Sequence, residues 1–490
     1  MARATDTTRD SAPRRLGRVW RRAPVGRHDA HGYWIEEAGP PAPLAPLDGP
    51  LDADVVVVGG GYTGMWTAWH LLELEPALRV AVLESARCGH GPSGRNGGFL
   101  NALWHSVPDL RERYGDRPAL ELVRAAQGSV DAIGRFCSAE EVDAWYRRGG
   151  YLDVSASPAQ DHAWDEVVAA CRELGEPHAC VELSPAEVAA RCRSPRFRGG
   201  ILLPGTATVQ PARLAFGLRE RLAERGAMLF EDSRVASLRA GAGSVEARTG
   251  RGAVRARAAV LAIGGAVAGR GGPLRRHLTI ASSHIALSEP VPDVLERIGW
   301  TGGECITDSR AMLHYLRTTP DGRIAFGWGG GRIAFGARLG GLAEVDPAVV
   351  ATAVAHMRAF FPDLAGRRIT HAWGGPIDVS PTHLPIVVEL PGGRAFAGCG
   401  YTGNGVGPAH MVGRMLASLA VDRRDTPSRL ALVEPSPQRV PPEPLRWLGG
   451  VAIRAAMERK EEAEDAGRRP HPVSTAVATI PRRLGFRVTR

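Results

Sequence analysis

Lysine is almost missing from this chain. Of 61 lysines and arginines in 490 residues, only Lys460 is a lysine, so the formal net charge of +9 is arginine charge. So uniform a skew marks the whole composition rather than one basic surface, and no nucleic-acid partner is expected. Cysteine is sparse: Cys88, Cys137, Cys171, Cys180, Cys192, Cys305 and Cys399 are odd in number and show no CxxC spacing. That pattern excludes a disulfide framework and a zinc site, and it fits a reducing compartment. No run of about eighteen apolar residues occurs, so no membrane span is expected. Arg14-Arg15 is not followed by an apolar stretch, so it reads as part of a tail, and a cytoplasmic location is expected. Arg14, Arg15, Arg18, Arg21, Arg22 and then Arg482, Arg483, Arg487 and Arg490 crowd the two ends, which are expected to be solvated and disordered.

Glycine, by contrast, is plentiful, with 60 residues, and three clusters of it carry chemistry. "DADVVVVGGG" (Asp52–Gly61) is a β-branched run ending in glycine, and it predicts a buried parallel strand. A helical pattern follows up to Pro76, then a second strand, "RVAVLE" (Arg79–Glu84), which completes a βαβ unit. Gly59, Gly61 and Gly64 form GxGxxG between strand and helix: one glycine for the turn, one for close approach of a pyrophosphate, one for helix packing. Tyr62 and Thr63 open the helix there. Glu84, twenty positions after Gly64, suits a ribose diol.

The second cluster, "GPSGRNGG" (Gly91–Gly98), is more than a nicotinamide dinucleotide needs. Arg95 has the fork geometry for pyrophosphate oxygens, Ser93 and Asn96 suit ribityl hydroxyls, and Gly97 and Gly98 permit close approach. The third, Gly398–Gly407, includes Gly400, Tyr401, Thr402, Gly403, Asn404, Gly405 and Val406 and precedes a helix from about Pro408. A helix start aimed at a flavin pyrimidine stabilises negative charge there. Elsewhere the chain shows a helix over Ala119–Cys137, a capping box at Ser184–Glu187, a helix over Gln210–Arg225, and a basic helix around Trp447–Glu464. Arg-Ile-Ala-Phe-Gly occurs at both Arg323 and Arg332, which predicts two extended segments around a glycine turn.

Together the three loops resemble the D-amino-acid oxidase superfamily of FAD-dependent oxidoreductases, and within it gamma-glutamylputrescine oxidase-like and sarcosine oxidase-like proteins. "GRNGGF", "VQPARLAFGL", "AAVLAIGG", "WGGPIDVSPTHLP" and "GYTGNGVG" carry the resemblance, which spans roughly Tyr33 to Asp422. It implies an α/β fold in which a Rossmann-type FAD-binding domain is interleaved with an α+β substrate domain on a mostly antiparallel sheet. The implied division is a disordered basic tail (1–32), FAD-binding segments (33–144, 209–265 and 371–425), substrate-domain segments (145–208 and 266–370) and a C-terminal extension (426–490). Val235 is implied to touch the adenine through its backbone, and Gly264 to lie beside the cofactor.

The resemblance further implies oxidation of a CH–NH bond of an amine or amino acid by hydride transfer to flavin N5. The imine then hydrolyses, and oxygen or another acceptor reoxidises the flavin. Arg95-Asn96 stand where some relatives carry a flavin-linking histidine, so FAD is expected to be non-covalent. No lysine lies in the matching region, which leaves the acceptor open between oxygen and another oxidant. A 2-hydroxy acid or polyol dehydrogenase of the same fold is one alternative, and a basic RNA-associated flavoprotein is another. For the substrate, "MLHYLRTTPDGR" (Met312–Arg323) reads as a strand that sends His314 and Leu316 to one face and Tyr315 and Arg317 to the other. The candidate catalytic residues are His314, Tyr315 and His284, with Arg317 for a substrate carboxylate and Trp104 and His105 at the flavin border.

Overall fold

A computed structural model describes residues 25–241, 243–269, 271–434 and 436–487. Val55–Val58 is buried at every position, because layers cover both of its faces. Val55 and Val57 join a core with Met65, Trp66, Val412 and Met415, while Val56 and Val58 join another with Val245, Ala247 and Val254. The strand sits inside a six-stranded sheet ordered Met228–Phe230, Val80–Leu83, Val55–Val58, Ala258–Leu261, Ala395–Cys399 and Ile386–Glu389. All its pairings are parallel except the last. Helices Tyr62–Leu74 and Val406–Ala420 pack on one face.

A second sheet holds nine strands: Val25–His28, Ile369–Val379, Thr279–Ser288, Ile324–Trp328, His314–Thr318, Cys305–Asp308, Tyr151–Val154, Gly200–Leu203 and Val181–Leu183. The Val25–His28/Ile369–Val379 and Cys305–Asp308/Tyr151–Val154 pairs are parallel and the other six antiparallel. Helix Pro347–Phe360 covers its back, burying Val350, Val354 and Met357 against Ala286, Leu316 and Phe326. Among the described residues no helix is long and apolar enough to cross a membrane.

Three local expectations change. Residues 25–32 are not tail: Val25–His28 pairs with Ile369–Val379, and Asp29 accepts the His31 and Gly32 N–H groups at 2.8 and 2.7 Å to start a helix. Arg14–Arg22 and Arg490 lie outside the described residues. The second Arg-Ile-Ala-Phe-Gly is not a strand; only Ile333 makes a bridge, to Ala281, and Phe335–Ala337 turns as a 3₁₀ helix. The C-terminal extension is ordered as helices Leu445–Asp465, Pro472–Ala478 and Ile480–Arg483.

Candidate active site

The strand-to-helix turn after Val58 is built around its glycines. Gly59 has φ +113, and a Cβ there would lie 2.3 Å from the Ala262 carbonyl oxygen. A Cβ on Gly64 would lie 1.9 Å from the Gly59 oxygen, so helix and strand pack backbone to backbone. Gly61 is different, since its Cβ would meet only the Ser93 hydroxyl, at 3.0 Å. Glu84 accepts the Gly60 N–H at 2.8 Å, and the Ser93 hydroxyl accepts the Tyr62 N–H at 2.8 Å. The N–H groups of Gly61 and Thr63 keep no partner among the described residues, and Gly61 caps the helix without a side chain.

In the second loop Asn96 is tied to the loop itself and Arg95 mainly to residues outside it. Asn96 donates to the Pro92 and Ser93 carbonyls at 3.1 and 2.9 Å and accepts the Gly98 N–H at 2.7 Å. Arg95 donates to the Ala30 carbonyl at 2.6 Å and pairs with Glu344 at 3.3 Å. These bonds shape the loop, and Arg95 and Asn96 also line the cavity described below. Arg317 lies behind it, donating to the Val209 carbonyl and, at 3.5 Å, to those of Gly97 and Gly98. No carboxylate pairs with it among the described residues, and burial pulls its guanidinium down to about 10. It buttresses the loop and is not placed to grip a substrate carboxylate.

The third loop closes on the first through one hydrogen bond, Thr63 Oγ1 to the Tyr401 hydroxyl at 2.7 Å. Gly400, Thr402 and Gly403 all have positive φ. Gly405 leads into helix Val406–Ala420 with no side-chain cap, and Asn404 Oδ1 is buried without a hydrogen-bond partner. Gly264, with φ +50, has only Asp378 Oδ2 within 4.0 Å of a built Cβ. Asp378 accepts the Gly400 N–H at 2.7 Å, and burial raises its carboxyl to about 6. Val235 is half-buried at the edge of the sheet core.

Between the loops and the nine-stranded sheet lies a cavity of ≈ 730 Å³. Its wall is one row across the sheet in register: Asp153, Thr307, Tyr315, Gly327, Ile285 and Trp373. Side chains alternate along strands, so the odd positions Thr279, Ala281, Ser283 and Ile285 face the cavity and the even ones do not. Tyr315 packs against Gly97, where a Cβ would lie 3.2 Å from its ring.

A family model described as FAD dependent oxidoreductase matches residues 54–419. The chain belongs to that family. It is 30% identical to a probable oxidoreductase OrdL of Rhizobium meliloti over 80% of this chain and 89% of the relative. It is 29% identical to gamma-glutamylputrescine oxidoreductase of Escherichia coli over 79% and 88%. Among solved structures, glycine oxidase from Geobacillus kaustophilus matches with TM-score 0.63 and 20% identity over 77% of this chain and 96% of that one. FAD is thus the cofactor of this fold, and the observed loops fit it: two helix starts without side-chain caps, an uncrowded Gly61 and an orphaned Asn404 oxygen.

His284 and His314 both pair across the sheet with Trp328, so they share its back face and do not line the cavity. His314 instead donates Nδ1–H to Asp308 at 2.7 Å, which makes its Nε2 the acceptor for His356 Nδ1–H at 2.7 Å. Burial would raise the Asp308 carboxyl, but His314 and Arg310 outweigh it and hold it low. Burial pulls His314 down against the pull of Asp308, and pushes His356 down to about 3 and His383 to about 4. In the unfolded chain these imidazoles take protons below about 6.5, whereas in the native chain they do so only at lower pH. Their contribution is therefore present above pH 6.5 and lost on acidification. Asp378 and Glu461, raised by burial to about 6 and about 7, oppose this over part of the range. We expect the urea midpoint to fall from pH 6.5 to 4.5 and His356→Phe to flatten that slope; an unchanged slope would contradict the assignment.

His105, beside the buried Trp104, does line the cavity. Sequence reasoning missed three features: Asp153, which accepts the Ser309 hydroxyl at 2.9 Å; Asn101; and the whole C-terminal extension, which contributes lining residues such as Ile453 and Met457. Only the last had a legible signal, an apolar spacing of four in "LRWLGGVAIRAAM".

Proposed function

We propose that the chain oxidises the CH–NH bond of a small amine or amino acid at the Tyr315 end of the cavity. One relay supports this most directly. Ser283 donates its hydroxyl hydrogen to the Trp328 carbonyl at 2.9 Å, so Tyr315 donates to Ser283 Oγ at 2.7 Å. The Tyr315 oxygen keeps its lone pairs for the cavity and can accept an amine N–H. Burial raises the phenol to about 12, so it stays protonated and serves as an orienting group, not a base. Bound FAD supplies the two-electron acceptor for the substrate's α C–H. Gly97 and Tyr315 set the substrate's approach, and the sheet excludes water from one side. Cys399 is buried with its thiol pushed up, and Arg95-Asn96 bring no histidine or cysteine to the second loop, which supports non-covalent FAD. The final oxidant is oxygen or another acceptor; Lys460, bound to Glu464 at 2.6 Å, stands outside the FAD loops. Seven buried, unbridged cysteines favour a cytoplasmic setting.

The test is anaerobic bleaching of the flavin by a panel of amines, amino acids and 2-hydroxy acids. Bleaching by amines with release of ammonia or a shorter amine is expected; bleaching by 2-hydroxy acids alone would overturn the reading. Tyr315→Phe should weaken amine binding roughly fivefold, the effect of one neutral hydrogen bond of about 1 kcal/mol, with FAD retained. The variant's spectrum and amine dissociation constant check this.

A further inference from the structure

The cavity has a second wall that the family region does not contain. Helix Leu445–Asp465 begins after residue 419, where the family match ends. Leu445, Gly449, Ile453 and Met457 line the cavity, and their spacing of four places them on one helix stripe. The stripe continues into Glu461 and Asp465, and these two dock the helix. Glu461 accepts the Met312 N–H at 3.2 Å, and Asp465 pairs with Arg310 at 2.6 Å. Ile480, opening the last helix, and Leu484, just after it, form an exposed apolar rim at the same cavity.

The charges that this extension brings to the cavity are all committed elsewhere. Arg446 pairs with Glu443 at 2.7 Å and donates to the Arg275 and Leu278 carbonyls. Arg454 pairs with Glu458 at 3.1 Å and donates to the Gly330 and Gly331 carbonyls. Arg487 pairs with Asp109. What remains facing the cavity from the extension is hydrocarbon. The polar lining groups Tyr315, Ser283, Asn101 and Asn404 belong to the sheet and the family loops, not to the extension.

We propose that the C-terminal extension is a specificity wall that receives the apolar substituent of the substrate, so that the preferred substrates are amines carrying an extended alkyl or aryl group. This rests on the amine reading for the reacting end only. The amine end lies by Tyr315; Gly97, Gly98 and Asn404 would hold the cofactor, and the hydrocarbon continues beneath Gly449, Ile453 and Met457. The apolar rim gives such a substrate its entry.

Gly449 offers a clean probe, because a Cβ there meets nothing within 4 Å while the residue lines the cavity. Gly449→Leu fills that space and replaces a poor helix former with a good one, so the helix is not put at risk. The experiment measures dissociation constants for straight-chain amines from methylamine to octylamine, read from the perturbed visible spectrum of the oxidised, FAD-loaded full chain under nitrogen. In the natural protein each added methylene should tighten binding about fourfold, the fold-change of ~0.8 kcal/mol per buried CH₂. In Gly449→Leu the gain should stop part-way, with octylamine at least tenfold weaker and methylamine unchanged. Met457→Ala, which enlarges the space instead, should shift the best chain length upward by one or two carbons. A length-independent series in the natural protein, or a Gly449→Leu protein that binds octylamine as the natural one does, would overturn the wall. If amines fail to bind but straight-chain 2-hydroxy acids show the same methylene increment, the wall stands and the amine reading falls.

Discussion

Gly59→Ala should yield a protein that no longer retains FAD. The methyl group would lie 2.3 Å from the Ala262 carbonyl oxygen, and the backbone there has φ +113, a conformation that side chains resist. Left-handed strain of about 1–2 kcal/mol and overpacking of about 1–3 kcal/mol add at one point. The turn must open to relieve them, and opening it displaces the Gly61 and Thr63 N–H groups. We expect FAD affinity to fall by ~100-fold or more, equivalent to about 2.7 kcal/mol. Gly91→Ala is the matched control: its Cβ meets nothing within 4 Å, and FAD should remain. Purified protein is compared by its visible absorption and by flavin fluorescence titration. Equal FAD content in the two variants would show that the first loop does not carry the phosphates.

Asp308→Ala is expected to cause the largest loss of stability. The Asp308 side chain is fully buried and accepts both the backbone N–H and the ring Nδ1–H of His314 at 2.7 Å while pairing with Arg310 at 2.6 Å. Removing it leaves two buried donors unpaired and Arg310 with Asp465 as its remaining close carboxylate partner. Breaking a buried pair in this way costs about 3–5 kcal/mol. Because Arg310 also holds Asp465, the loss should loosen the C-terminal helix. Urea unfolding reads the first effect, and faster proteolysis near residues 466–471 reads the second. A change under ~1 kcal/mol, or proteolysis at the natural rate, would remove the network from the account.

The three glycine loops were legible from the chain alone because their function is local. A turn that needs positive φ, or a helix that touches a strand, restricts the residue at that position whatever surrounds it, as at Gly59 and Gly64. The parallel strand Val55–Val58 was legible for the same reason, since a strand buried on both faces must be apolar at every position. The alternation of Met312–Arg323 was also legible, and it separated Tyr315 from His314 correctly. Which face meets the cavity was not. A period of two is symmetric, and the choice was made by helix Pro347–Phe360, which covers the back of the sheet and takes His314 into a hydrogen bond with His356. In the same way "GPSGRNGG" showed a cation and an amide, but not that Arg95 reaches the Ala30 carbonyl or that Asn96 ties down the Pro92 and Ser93 carbonyls. The helix around Trp447–Glu464 was visible as a pattern, yet its place against the cavity depends on Glu461 and Asp465 meeting Met312 and Arg310, about 150 positions earlier. Local geometry is written in neighbouring residues. The pairing of distant polar groups depends on which of them are buried together, and that is known only once the chain is packed.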